Sequence, residues 1–130
     1  MLQAPYPLAV TIDANSPSVT TISIPGGDYK VGQTIAVTIT AGETGLSCTA
    51  CTLNGVALTG LTDNSDNTYT ATYTVVEGHT DRAAGATPGS IVLADSAGNT
   101  NSAYTTITEA AAVTIDANSP ADVSTISIAG

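Results

Sequence analysis

The octapeptide VTIDANSP occupies residues 10–17 and recurs without change at 113–120, 103 positions later. Chance identity over eight residues is negligible in a chain of 130. The copies are also followed by similar stretches, TISIPG at 21–26 and TISIAG at 125–130, the second displaced by 104 because one extra residue precedes it. Solenoid units repeat every ~20–50 residues, so a period of this size fits a whole domain with its linker. One hydrophobic core is what a chain of this length normally holds. The expected division is therefore a lead-in and linker at 1–17, one domain at 18–112, and at 113–130 a second linker copy with the first strand of a further unit. The C-terminal residues read as a repeat broken partway. Near the N-terminus neither a positive start nor a long apolar run suggests a secretory signal.

Between the two copies the apolar residues alternate. Ile22 and Ile24 flank Ser23; Ile35, Val37 and Ile39 flank Ala36 and Thr38; Tyr69, Ala71, Tyr73 and Val75 flank three threonines. A period of two buries one face of a strand. Residues 90–94 and 102–108 add two more strands, with Ile91 and Leu93 inward in the first and Ala103 and Ile107 inward in the second. Residues 48–58 are split by Asn54-Gly55, a pair that tolerates positive φ and makes tight hairpin turns. Turn signals stand at 25–28, 62–67, 88–89 and 96–99, and 82–86 suits a brief helical turn. The 23 Thr, ten Val and ten Ile agree with strands, because β-branched side chains pack well on a pleated surface. The expected fold class is all-β, a sandwich of about seven strands.

Eight Asp and three Glu against Lys30 and Arg82 give a net charge of −9. Nucleic-acid binding needs basic residues opposite phosphates and is excluded as a function class. An anionic membrane would repel the chain, and no stretch approaches the ~20 apolar residues that span a bilayer. Carboxylates lacking basic partners suit either a solvated exterior or a divalent cation.

The segments NTYTATYTV at 67–75 and DSAGN at 95–99, together with the flanking VTIDANSP copies, resemble the bacterial immunoglobulin-like repeats of large surface adhesins and other secreted proteins. The likeness covers most of 10–108. It implies an immunoglobulin-like Greek-key sandwich serving as an extender on the cell surface or outside the cell. Such a repeat has neighbouring repeats of the same polypeptide as its partners and is often stiffened by calcium at the junctions. Two features depart from that pattern: a pair of cysteines, and a lead-in at 5–9 that differs from 108–112.

Calcium takes six to eight oxygen ligands. Asp13 and Asn15 offer oxygens at alternate linker positions, Asp116 and Asn118 repeat them, and Glu43, Asp95 and Asn99 lie in loops expected at the same pole as a neighbour's linker. The alternative for each Asp and Asn is capping of its own turn. Asp63-Asn-Ser-Asp66 lacks the later glutamate and flanking helices of an EF-hand and reads as a hairpin turn. Cys48 and Cys51 have CxxC spacing, but four soft zinc ligands are missing, and so is the helix N-terminus that activates a redox thiol. A local disulfide is expected, provided that the two do not lie in one flat strand with their side chains on opposite faces. His79 reads as a surface-loop residue. No catalytic residues are assigned, since paired carboxylates for glycoside hydrolysis need a deep cleft. A spacer is the expected function. The competing class is a carbohydrate- or protein-binding module, for which Tyr69 and Tyr73 fit poorly because their alternation turns them inward.

Overall fold

A computed structural model describes residues 10–130. It contains ten strands and, among the described residues, no helix: β1 (Val19–Ile24), β2 (Gly27–Lys30), β3 (Thr34–Ala41), β4 (Ser47–Leu53), β5 (Val56–Ala57), β6 (Thr59–Asp63), β7 (Thr68–Thr74), β8 (Gly89–Ala94), β9 (Ile107–Glu109) and β10 (Val113–Asp116). The N-terminal part of the lead-in, including 5–9, lies outside the described residues.

The strands group into a five-stranded sheet ordered β6-β7-β3-β1-β9, a three-stranded sheet ordered β5-β4-β8, and the pair β10-β2. Ile22, Ile24, Ile35, Val37, Ile39, Tyr69 and Tyr73 of the first meet Cys51, Leu53, Ile91 and Leu93 of the second in one core. The arrangement is all-β and sandwich-like. The alternation that defines the strands is also what builds this core, since every inward position of β3 and β7 is buried.

Asn54 and Gly55 both take positive φ, 54° and 73°, and turn β4 tightly into β5 as expected from the dipeptide. Residues 25–28 do not make a full turn. Pro25 and Gly26 interrupt one extended run, so that β1 pairs with β3 while β2 pairs with β10. A side chain on Gly26 would collide with Ala111, so only glycine allows this close approach.

Residues 102–108 are less regular than their alternation suggests. Only Ile107–Glu109 forms a strand, Tyr104 makes an isolated bridge to Ile91, and Ala103 is exposed. Tyr104 is anchored instead through its hydroxyl to the Thr20 carbonyl at 2.7 Å.

The largest departure concerns the boundary expected after residue 112. The second copy of the octapeptide is part of the packed unit: Val113, Ile115 and Ala117 are buried, and β10 pairs in parallel with β2 from Val113↔Gly27 to Asp116↔Lys30. On its other edge Ile115 exchanges both backbone hydrogen bonds with Arg82, at 2.8 and 2.9 Å. The period-two placement of Val, Ile and Ala gives this segment one apolar face, and the free edge of β2 supplies backbone partners.

Candidate functional site: two linker copies and the poles that hold them

The linker copies sit at opposite ends of the strands. β1 starts beside the end of β3, where Gly42 donates to the Ser18 carbonyl at 3.0 Å. The other end of β3 pairs with the end of β7, next to the loop that receives the second copy. The eight residues of β3 separate the two poles by about 27 Å at ~3.4 Å per residue.

At the first pole the Asn99 side-chain amide donates to the Asp13 carbonyl and to Asp95 Oδ2, both at 3.0 Å. Asp95 Oδ1 accepts the backbone N–H groups of Ala97 and Asn99, each at 2.9 Å. Chiefly the Asn99 side chain, helped by these N–H groups and opposed by some desolvation, holds the Asp95 carboxyl below its ordinary value. Pro17 is buried against this pole, whereas Pro120 is exposed.

Glu43 lies in the loop after β3, where its carbonyl accepts the Tyr69 hydroxyl at 2.8 Å and Leu46 N–H donates to that hydroxyl at 3.1 Å. Burial pushes the Tyr69 phenol upward, with Asp63 and Glu43 adding to the effect against the lowering by Leu46. No hydrogen bond joins Glu43 to the linker among the described residues.

At the second pole the linker is gripped by two acids from the loop after β7. Asp81 Oδ1 accepts Ala117 N–H and Asp81 Oδ2 accepts the Asn118 side-chain amide, both at 2.7 Å. Both oxygens of Glu77 accept Ser119 N–H, at 3.2 and 3.0 Å. A cleft of about 460 Å³ lies alongside, lined by Lys30, Val31, Asp116, Asn118, Ser119 and Pro120. Glu77 and Asp81 were not singled out in the sequence. Their only signal there is their position in the polar loop EGHTD, which does not reveal what the loop faces.

In both copies the aspartate caps its own turn: Asn15 N–H donates to Asp13 Oδ1 at 3.0 Å and Asn118 N–H to Asp116 Oδ1 at 3.1 Å. The structure brings Asp13 to Asp95 and Asn99, keeps Asp116 and Asn118 at the far pole with Glu77 and Asp81, and leaves Glu43 in its own loop. Among the described residues no three acidic, His or Cys side chains converge on one point. One oxygen of each of these carboxylates accepts the N–H two residues on, an arrangement suited to capping its own turn.

Beneath the second pole lies a polar chain. Arg82 Nε donates to Asn54 Oδ1 at 2.7 Å, and Asn54 Nδ2 donates to Thr80 O at 2.8 Å and to the Tyr73 hydroxyl at 3.0 Å. His79 Nδ1 accepts Val76 N–H at 3.2 Å and therefore also accepts from Tyr73, 2.9 Å away. His79 is half-buried and stacked on Tyr73 with ring centroids 5.6 Å apart, so it shapes the loop that carries Glu77 and Asp81.

Cys48 and Cys51 are bonded, with Cα atoms 6.0 Å apart, although both lie in β4. The register slips between Cys48 and Ala50, and this bulge at Thr49 reverses the parity that would have turned the two side chains to opposite faces.

Comparison with protein-family models, curated proteins and solved structures finds no match to this chain.

Proposed function

We propose that the protein is a structural spacer, an extender repeat of an extracellular bacterial adhesin with an immunoglobulin-like Greek-key sandwich. The observation that carries this reading is that two identical linkers join one unit at opposite poles, so successive units stack end to end rather than side by side. Two strand orders support the topology: β6-β7-β3-β1, and β5-β4-β8 followed by the bridge of β8 to Tyr104. In that topology β1 and β2 are halves of the first strand and β9 and β10 halves of the last. A disulfide suits an oxidising compartment outside the cell.

The two views of the linker describe complementary sides of one junction. The preceding unit holds it through Asp81 and Glu77, and the following unit through Asn99 and the buried proline. Junction stiffness then rests on amide–carboxylate bonds, and calcium is a further brace that experiment decides.

The test is solution scattering from chains of one, two and three complete units in chelator. A maximum dimension that grows linearly with unit number is expected, and compact two-unit chains would overturn the spacer reading. Further lengthening in millimolar calcium, lost on Asp116→Ala, would add the ion as a brace. Specific binding on a glycan array by the single unit would instead favour a carbohydrate-binding module. Among the described residues the aromatic side chains offer little for that role, since Tyr69 and Tyr73 are buried and the hydroxyls of Tyr29 and Tyr104 are bonded to backbone carbonyls.

A further inference from the structure

One octapeptide is seen in two states. At 113–120 its Val and Ile are 0% and 2% accessible; at 10–17 Val10 and Ile12 are 83% and 88% accessible and belong to no strand. The local Asp–Asn turn is nevertheless formed in both. What differs is the presence of the slot that receives β10. Its floor is the core beneath Val113, Ile115 and Ala117. One wall is the backbone of β2 and the other is Arg82, while Asp81 and Glu77 close over the last amides.

We propose that residues 10–17 are a preformed strand ligand whose acceptor is the slot between Gly27–Lys30 and Arg82 of another copy of this unit. The fit follows from sequence identity, because every apolar side chain and backbone group that 113–119 presents to the slot is present at 10–16. The slot selects a strand with Val and Ile two positions apart, a small residue two further on, and free amides for Asp81 and Glu77. A strand adding to a sheet edge in this way gains affinity from main-chain hydrogen bonds and selectivity from alternate side-chain pockets.

In the intact chain the slot is filled by its own tethered strand, whose effective concentration is on the order of millimolar. The linker therefore closes the unit that precedes it and is not a neutral tether between two finished domains. The inference rests on the spacer reading for its biological setting only.

The test uses the full chain carrying Ile115→Asp, which places a carboxylate at a buried position and expels the cis strand. Expected is concentration-dependent head-to-tail association in analytical ultracentrifugation, abolished when Ile12→Asp is added to the same chain. Association that persists in the double variant would overturn the proposal, as would an Ile115→Asp chain that stays folded and monomeric at 100-fold dilution and at stock concentration alike. Should Ile115→Asp fail to fold, the milder Ile115→Ala chain is titrated with the synthetic peptide Val-Thr-Ile-Asp-Ala-Asn-Ser-Pro. At about tenfold excess over Kd the peptide should raise Tm by about 5 °C, and a peptide with Asp at the Val and Ile positions should not. Equal response to the two peptides, or to neither, would overturn the slot assignment. Linear growth of the scattering dimension with unit number would stand in either case, so the two readings fail separately.

Discussion

Asp81 reaches across 37 positions of sequence to accept the side-chain amide of Asn118 at 2.7 Å, and its other oxygen takes the backbone N–H of Ala117 at the same distance. A single carboxylate on a loop thereby seals the end of the last strand. Neither partner is a local neighbour, and without Asp81 the Ala117 N–H lies at a buried residue with no acceptor.

Asp81→Ala should therefore destabilise the unit by about 1–2 kcal/mol, the range for a hydrogen bond to a charged group reduced by its exposure. Urea denaturation measures the loss, and hydrogen exchange at Ile115 to Ser119 should accelerate more than exchange in β3. Uniform acceleration would mean that Asp81 acts on the whole unit and not on the last strand.

Asn54 does two things at once, and two substitutions separate them. Asn54→Gly keeps the positive φ of the turn but deletes the side chain that joins Arg82, Thr80 and Tyr73. It should cost about 2 kcal/mol through the partners left unpaired. Asn54→Ala should cost roughly 1 kcal/mol more, because alanine resists the left-handed backbone. Equal losses would show that the turn tolerates a Cβ side chain without polar help.

The Cys48–Cys51 bridge closes so short a loop that it restricts the unfolded chain little, by about 2 kcal/mol at most on the chain-entropy relation. Reduced protein should keep its β content. Alkylation of native, unreduced protein followed by intact-mass measurement should find no free thiol, and two modified cysteines would refute the bridge.

Acid stability reports the first pole. Asp95 and Asp66 have carboxyls lowered from 3.8, Asp95 chiefly by the Asn99 side chain and Asp66 chiefly by the Thr68 hydroxyl. A carboxyl lowered by folding contributes stability that is complete above the unfolded value and is lost as pH falls through the folded one. Asp95→Asn should thus unfold more readily than the parent at pH 7, and the gap should close as pH falls below the ordinary carboxyl value of 3.8 and through the lowered one. A gap unchanged down to pH 2 would remove the Asp95–Asn99 contact from the account.

The strands β3, β7 and β8 were legible because each buries a face in strict alternation, β1 because Ile22 and Ile24 are buried either side of Ser23, and the Asn54-Gly55 turn because so few residue pairs suit its backbone. The segment 102–108 misled because alternation of Ala103 with Tyr104 carries no information on which face finds a neighbour. At the candidate site the Asp13 carbonyl and the Asp95 carboxylate share the Asn99 amide at one pole, while the Asp13 side chain caps its own turn. Glu77 and Asp81 were hidden, since a loop acid acquires its role only from the strand end placed beneath it.

The two copies of VTIDANSP mark how far sequence alone reaches. The Asp-capped turn appears in both, since it needs only an aspartate oxygen and the N–H two residues on, and these travel together in any eight residues of this sequence. Whether Val and Ile beside that turn are core or surface was decided elsewhere, by the β2 edge, Arg82 and a hydrophobic floor contributed by residues far away in the chain. Hydrogen-bonded turns are closed by neighbours, but a strand has no internal backbone bonds, so its state depends on the partners that tertiary structure brings to it.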